Sequence, residues 1–146
     1  MKYTKVILFA VAAAVALLEV GCASVNRQAA NAYAEPKADQ GVVYFFRPKK
    51  FMGAAISYDV RDRANNTVIG AIANGTYFFH YASPGQHVYA AATETDTLQN
   101  VEVEAGKTYY IECGVQMGVL AGRPSMKVVT EAEAKPVLPT LQYATK

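Results

Sequence analysis

Between Gly41 and Val129 the chain is written in short bursts of alternating character, and this pattern narrows the fold more than any other feature. Val, Ile, Thr, Tyr and Phe dominate each burst, turn formers bound it, and the bursts recur about every ten residues. Alternation of period two sends successive side chains to opposite faces, which suits a strand and not a helix. In Ile56-Ser57-Tyr58-Asp59-Val60-Arg61 the even positions are apolar and the odd ones polar, and Val101 and Val103 oppose Glu102 and Glu104. The expected strands are Val42–Arg47, Ile56–Arg61, Thr67–Ala73, Thr76–Tyr81, Gln86–Thr93, Gln99–Glu104, Lys107–Gly114 and Met126–Val129. Val42–Phe46 is apolar on both faces, so it is expected to be central or doubly covered.

Turn chemistry agrees with this reading. Asn65-Asn66 and Asn74-Gly75 suit the positive φ of tight hairpins, and Pro84-Gly85 and Ala105-Gly106 close two other hairpins. No strand-helix-strand alternation occurs, which argues against a parallel dinucleotide-binding sheet. The expected architecture is an all-β antiparallel sandwich over residues 41–130. Thr130 and Glu133 have the spacing of a capping box, and Pro136 and Pro139 limit the following helix to a turn or two. Residues 131–146 are therefore expected to be a short helix and a tail lying on the domain or free in solvent.

The N-terminus has a different character. Lys2 and Lys5 precede an uncharged apolar run of 13 residues, Val6 to Leu18. A bilayer core needs about 20 residues to cross. The run has instead the length of the apolar region of a secretory signal, closed by Gly21, Cys22, Ala23 and Ser24. Val20-Gly21-Cys22 resembles a bacterial lipobox, with Glu19 standing where that pattern has Leu. The resemblance implies that residues 1–21 are a lipoprotein signal peptide and that the Cys22 thiol receives diacylglycerol, its amine being acylated after cleavage. Ordinary cleavage after Ala23, giving a soluble periplasmic chain, is the competing expectation. Ala23 following the cysteine implies, by resemblance to lipoprotein sorting, the periplasmic face of the outer membrane. Residues 22–40 read as the acylated cysteine and a flexible tether, rich in Ala, Asn and Gln.

Composition excludes several classes. With 146 residues and 52% hydrophobic content the chain is one small folded domain rather than a disordered one. A formal charge of +2 is too small for nucleic-acid binding through a dense basic surface. Two cysteines build neither a disulfide scaffold nor a four-cysteine zinc site.

Val43-Tyr44-Phe45-Phe46-Arg47-Pro48, Gly75-Thr76-Tyr77-Phe78, Pro84-Gly85-Gln86-His87 and Ala105-Gly106-Lys107-Thr108-Tyr109-Tyr110, in that order, resemble small bacterial lipoproteins grouped as domain of unknown function 2846. The Pro-Gly-x-His turn and the later Tyr-Tyr strand are also similar to the PEGA class of β modules. These resemblances imply an immunoglobulin-like or transthyretin-like sandwich, an envelope location and no catalytic residues.

The candidate site residues are few. Arg47, Lys49 and Lys50 form the one basic cluster. Arg47 shares a strand face with Val43 and Phe45, so its stem is expected to be half buried and its fork paired with a carboxylate such as Glu112. Lys49 and Lys50 lead into Phe51, Met52 and Gly53, a loop suited to solvent, lipid headgroups or an anionic envelope polymer. Tyr77, Phe79 and Tyr81 share one strand face, with Phe78 and His80 on the other. Either this strand is buried on both sides or one face contacts a partner or a glycan. His80 and His87 flank the Pro-Gly turn and are expected on adjacent strands of one hairpin, with His87 a candidate contact residue. Two histidines without further ligands make no zinc site, so no metal and no cofactor are expected. Cys113 reads as a small buried hydrophobe. Residues 114–122 read as a flexible glycine-containing loop without a phosphate-binding signature. The function expected from all this is a non-catalytic interaction or structural module of the envelope, held to the membrane by lipid on Cys22. A glycan- or peptidoglycan-binding module is the alternative, and a hydrolase or metal-dependent enzyme needs Arg47, His80, His87 and Glu112 to converge.

Overall fold

The computed structural model describes residues 23–93, 96–118 and 122–146. The export run and Cys22 lie outside the described residues. Ten strands are present among them: β1 (Asn26–Arg27), β2 (Gly41–Arg47), β3 (Tyr58–Asp62), β4 (Thr67–Ile72), β5 (Thr76–Ala82), β6 (Gly85–Ala92), β7 (Asp96–Val103), β8 (Thr108–Gln116), β9 (Arg123–Val129) and β10 (Gln142–Thr145). They form a six-stranded sheet in the order β1-β10-β5-β2-β8-β9 and a four-stranded sheet in the order β4-β3-β6-β7. The two sheets pack as an all-β sandwich, as the alternation requires. Most pairs are antiparallel, but β2 runs parallel to β8 and β10 runs parallel to β5.

Two hydrophobic clusters explain the order. Val43 and Phe45 of β2, Tyr58 and Val60 of β3, Tyr89 of β6 and Ile111 and Cys113 of β8 form the core between the sheets. Val42, Tyr44 and Phe46 point the other way and join Tyr77, Tyr110, Leu138 and Leu141 in a second cluster. Strand β2 is thus buried on both faces, the burial its unbroken apolar run anticipates. The second cluster needs a cover, and the C-terminus supplies it. Helix α1 (Glu131–Ala134) starts at the Thr130–Glu133 capping box, a 3-10 turn follows at Leu138–Thr140, and the chain returns as β10. The segment expected as a tail is therefore part of the sheet.

Three sequence expectations are corrected. Residues 26–35, expected within a tether, are held to the domain: β1 pairs with β10, and Tyr44, Tyr77 and Tyr81 bond to the backbone of Ala34, Ala32 and Glu35. Of the four expected hairpins, the Asn65-Asn66 one joins paired strands, β3 and β4, whereas Asn74-Gly75, Pro84-Gly85 and Ala105-Gly106 each carry the chain from one sheet to the other, because β4, β6 and β7 lie in one sheet and β5 and β8 in the second. Strand β8 runs on to Gln116, so Gly114 to Gln116 are strand rather than loop.

Candidate functional site

Arg47 ends β2 on the inter-sheet side, and its side chain is nearly inaccessible at 2% exposure. Among the described residues its hydrogen-bond partners are backbone carbonyls rather than a carboxylate. Its Nη1 donates to the Ile56 carbonyl at 2.6 Å and its Nη2 to the Gly53 carbonyl at 2.7 Å. Burial lowers the guanidinium pKa from its ordinary value, the expected response of a cation taken from water. The pairing expected with Glu112 does not form. Glu112 is aligned with Phe46 in the β2–β8 register, so it faces the outer side while Arg47 faces the core. Alternation alone separates the two.

The consequence of the Arg47 grip is a built loop. Residues 48–57 leave β2, turn at Phe51 to Ala55 and return to β3, with Ala54 N–H donating to Phe51 O and Ile56 N–H to Gly53 O. Gly53 has φ of 72°, in the left-handed region where a side chain is strained, so the turn is matched to its residue. Asn74 accepts from the Lys50 N–H at 2.9 Å and ties the loop to the β4–β5 turn. Lys49 and Lys50 are exposed on it. Phe51 is fully exposed at 101% and Met52 at 63%.

The aromatic strand lies elsewhere. Tyr77 is wholly buried, and Phe79 and Tyr81 are partly buried on the same face, as alternation predicts. Tyr77 stacks on Tyr33 with ring centres 5.8 Å apart, and its hydroxyl donates to Ala32 O at 2.8 Å. Tyr44 accepts from Ala34 N–H, and Tyr81 donates to Glu35 O, each at 2.8 Å. Of the two alternatives for this strand, burial fits this face, which residues 32–35 of the chain itself cover. Three tyrosines alternating on two adjacent strands were the available signal, because a buried phenol needs a hydrogen-bond partner.

His87 is half-buried, with Nδ1 3.0 Å from an Asp62 oxygen and Nε2 2.8 Å from the Ser83 carbonyl. Burial by itself raises the Asp62 carboxyl, but the Ala64 N–H and the His87 ring hold it below the usual carboxylate range. His80 lies near this pair, its pKa lowered by burial, and its ring meets that of Tyr89 edge-on at 6.4 Å. The Tyr89 hydroxyl is buried without a partner among the described residues. Among the described residues no three His, Cys, Asp or Glu side chains are grouped to hold a metal. Cys113 is buried in the core with its thiol pushed up to about 12 by desolvation, so it is a poor nucleophile at neutral pH. Arg47 thus holds the Gly53 and Ile56 carbonyls, His87 holds Asp62 and Ser83, and Glu112 faces the outer side of β8.

The loop end of the sandwich gathers other groups. The Ser57 hydroxyl donates to the carbonyl of Ala23 at 3.0 Å, which brings the first described residue to the base of the loop. Arg27 donates to Asn74 O and to the Gln142 side chain. Arg27, Lys49, Ala54, Asn74, Gly75, Thr140 and Gln142 line an open groove of about 500 Å³, with two cations and no carboxylate in its wall.

Comparison with known proteins places the chain in a family and carries no activity. The family described as Protein of unknown function (DUF2846) matches residues 37–130. An uncharacterized protein of Haemophilus influenzae is 28% identical over 137 residues, covering 89% of this chain and 80% of that protein. No solved structure matches.

Proposed function

The chain belongs to the DUF2846 family, and on that footing we propose that it is a lipoprotein of the bacterial outer membrane. Its sandwich faces the periplasm as a non-catalytic interaction or structural module, and Cys22 carries the lipid. The observation that bears most weight is the basic start, uncharged run and Val20-Gly21-Cys22 junction, followed within a few residues by the edge strand β1. Two or more acyl chains give stable membrane residence where one is marginal, each buried CH₂ contributing about 0.8 kcal/mol. The non-catalytic part of the reading draws on how the reactive groups are used. Arg47 holds backbone carbonyls, His87 holds Asp62 and Ser83, and Cys113 is core. The buried state of Tyr77 gives no support to a glycan platform on β5.

Fractionation of cells expressing the wild type and C22S tests the proposal. The wild type is expected in the outer-membrane fraction, with an intact mass showing diacylglycerol and acyl additions on a chain beginning at Cys22. C22S is expected to leave the membrane fraction. An unmodified mature chain beginning at Ser24 would falsify the anchor.

A further inference from the structure

We propose that the loop Lys49-Lys50-Phe51-Met52 is a second membrane contact, a wedge that dips into the lipid surface beside the anchor and sets the tilt of the sandwich on the bilayer. The proposal rests on the lipid anchor at Cys22 and adds to it the face of the domain that meets the lipid.

Three independent observations converge on this end of the molecule. The first is exposure that the fold maintains. Phe51 and Met52 form the one adjacent pair among the large exposed apolar side chains of the described residues. A loop free to relax would fold such side chains back onto the domain. This one is held open by Arg47 on the Gly53 and Ile56 carbonyls and by Asn74 on the Lys50 N–H. A buried cation that bonds backbone carbonyls thus maintains a turn whose two apolar side chains stand in water, which is costly unless they have somewhere to go.

The second observation is where the chain enters. Ala23 is hydrogen-bonded to Ser57, immediately after the residue whose carbonyl Arg47 holds. Ala23 directly follows Cys22 in the chain. Lipid on Cys22 therefore brings the membrane surface to the loop rather than to the opposite end, where the Ala105-Gly106 turn lies against Gln40. Because β1 is already paired with β10, the domain has no long leash on which to turn away.

The third is charge. Lys49 and Lys50 directly precede the apolar tip, and the groove that Lys49 shares with Arg27 has no carboxylate in its wall. Apolar tip and basic flanks are the composition that buries rings among acyl chains and leaves ammonium groups at anionic headgroups. On its own so small a contact is weak. Once the anchor is in place, however, the loop meets the bilayer at high effective concentration and needs no strong intrinsic affinity.

The chain contains no tryptophan, so F51W introduces a single reporter at the tip. The full-length protein carrying F51W is purified from the membrane fraction. It is reconstituted into vesicles of phosphatidylethanolamine and phosphatidylglycerol with brominated acyl chains. Its emission is expected to move to shorter wavelength and to lose most of its intensity, and K49E/K50E in the same background is expected to restore much of it. A105W, at the opposite end, is expected to stay unshifted and unquenched. All of these sites are exposed turn or loop positions, and circular dichroism checks that the fold is kept. A membrane-bound F51W protein whose emission matches that of A105W overturns the wedge and leaves the anchor standing. A wild-type chain found only in the soluble fraction overturns the anchor, and the wedge with it.

Discussion

Replacing Arg47 with Met isolates what a buried cation does here, because Met keeps much of the length and volume while removing the charge and the donors. Two effects oppose each other. Each hydrogen bond from a charged group contributes about 1.5–3 kcal/mol, so losing both donations to Gly53 and Ile56 costs about 3–6 kcal/mol. Returning a desolvated cation to the unfolded reference recovers several kcal/mol, in the sense shown by the lowered pKa of Arg47. Global stability to urea is therefore expected to change by no more than about 2 kcal/mol. The loop has no such compensation. Its internal bonds are the Ala54–Phe51 and Ile56–Gly53 pairs, and without the guanidinium the turn at Gly53 and Ile56 is left with these, the Lys50–Asn74 bond lying at the other end of the loop. A local loss of about 3 kcal/mol corresponds to roughly a hundredfold faster opening. Amide hydrogen exchange read at Ile56, beside global exchange in the β2 and β8 core, separates the two effects. An Ile56 amide exchanging at the wild-type rate in R47M refutes the claim that Arg47 braces the loop. A global loss far above 2 kcal/mol refutes the claim that its burial carries a compensating cost.

Two further predictions concern the rest of the fold. Y44F and Y77F each remove one hydroxyl bond to residues 32–34 and are expected to cost about 1 kcal/mol apiece, with the double variant coupled because both hold one segment. Trypsin is expected to cut after Lys37 sooner in the double variant than in the wild type, and equal rates would mean the segment is held by other contacts. Acid is expected to weaken the fold in two steps. Burial depresses the pKa of His80 below 6.5, so the unfolded chain binds the proton first, and stability falls as pH drops through 6.5 toward the folded value. The Asp62 carboxyl is held below its ordinary 3.8, so its contribution is complete above that value and lost as pH falls further. Thermal midpoints measured against pH should lose the first step in H80Q and keep the second, and an unchanged profile in H80Q would place the first step elsewhere.

Much of this was legible in the residues because alternation is a local signal. The period-two runs gave the strands, the apolar set Val42–Phe46 gave a strand covered twice, and the Asn66 and Gly75 positions gave turns of positive φ, observed at 55° and 72°. Thr130 and Glu133 gave the helix start, since a capping box is closed within four residues. The site was less legible. The composition of the Lys49–Met52 loop is plain in the chain, but the carbonyls that Arg47 holds are not, and the carboxylate of opposite charge, Glu112, is turned by alternation to the other face.

The chain by itself determined that there would be strands, which side chains would share a face, and where the export-like run and Cys22 would stand. Only the tertiary structure decided which sheet each strand joined: β5 and β6, close in sequence, went to opposite sheets, while β10 crossed the length of the chain to lie parallel to β5. The physical reason is that faces are set by neighbouring dihedrals, whereas partners are set by burying whichever apolar face is still uncovered. The outer face of β2 and β5 was such a face, and residues 26–35 together with residues 131–145 cover it. That cover is also what brings Ala23 to Ser57, and so puts the proposed anchor beside the loop.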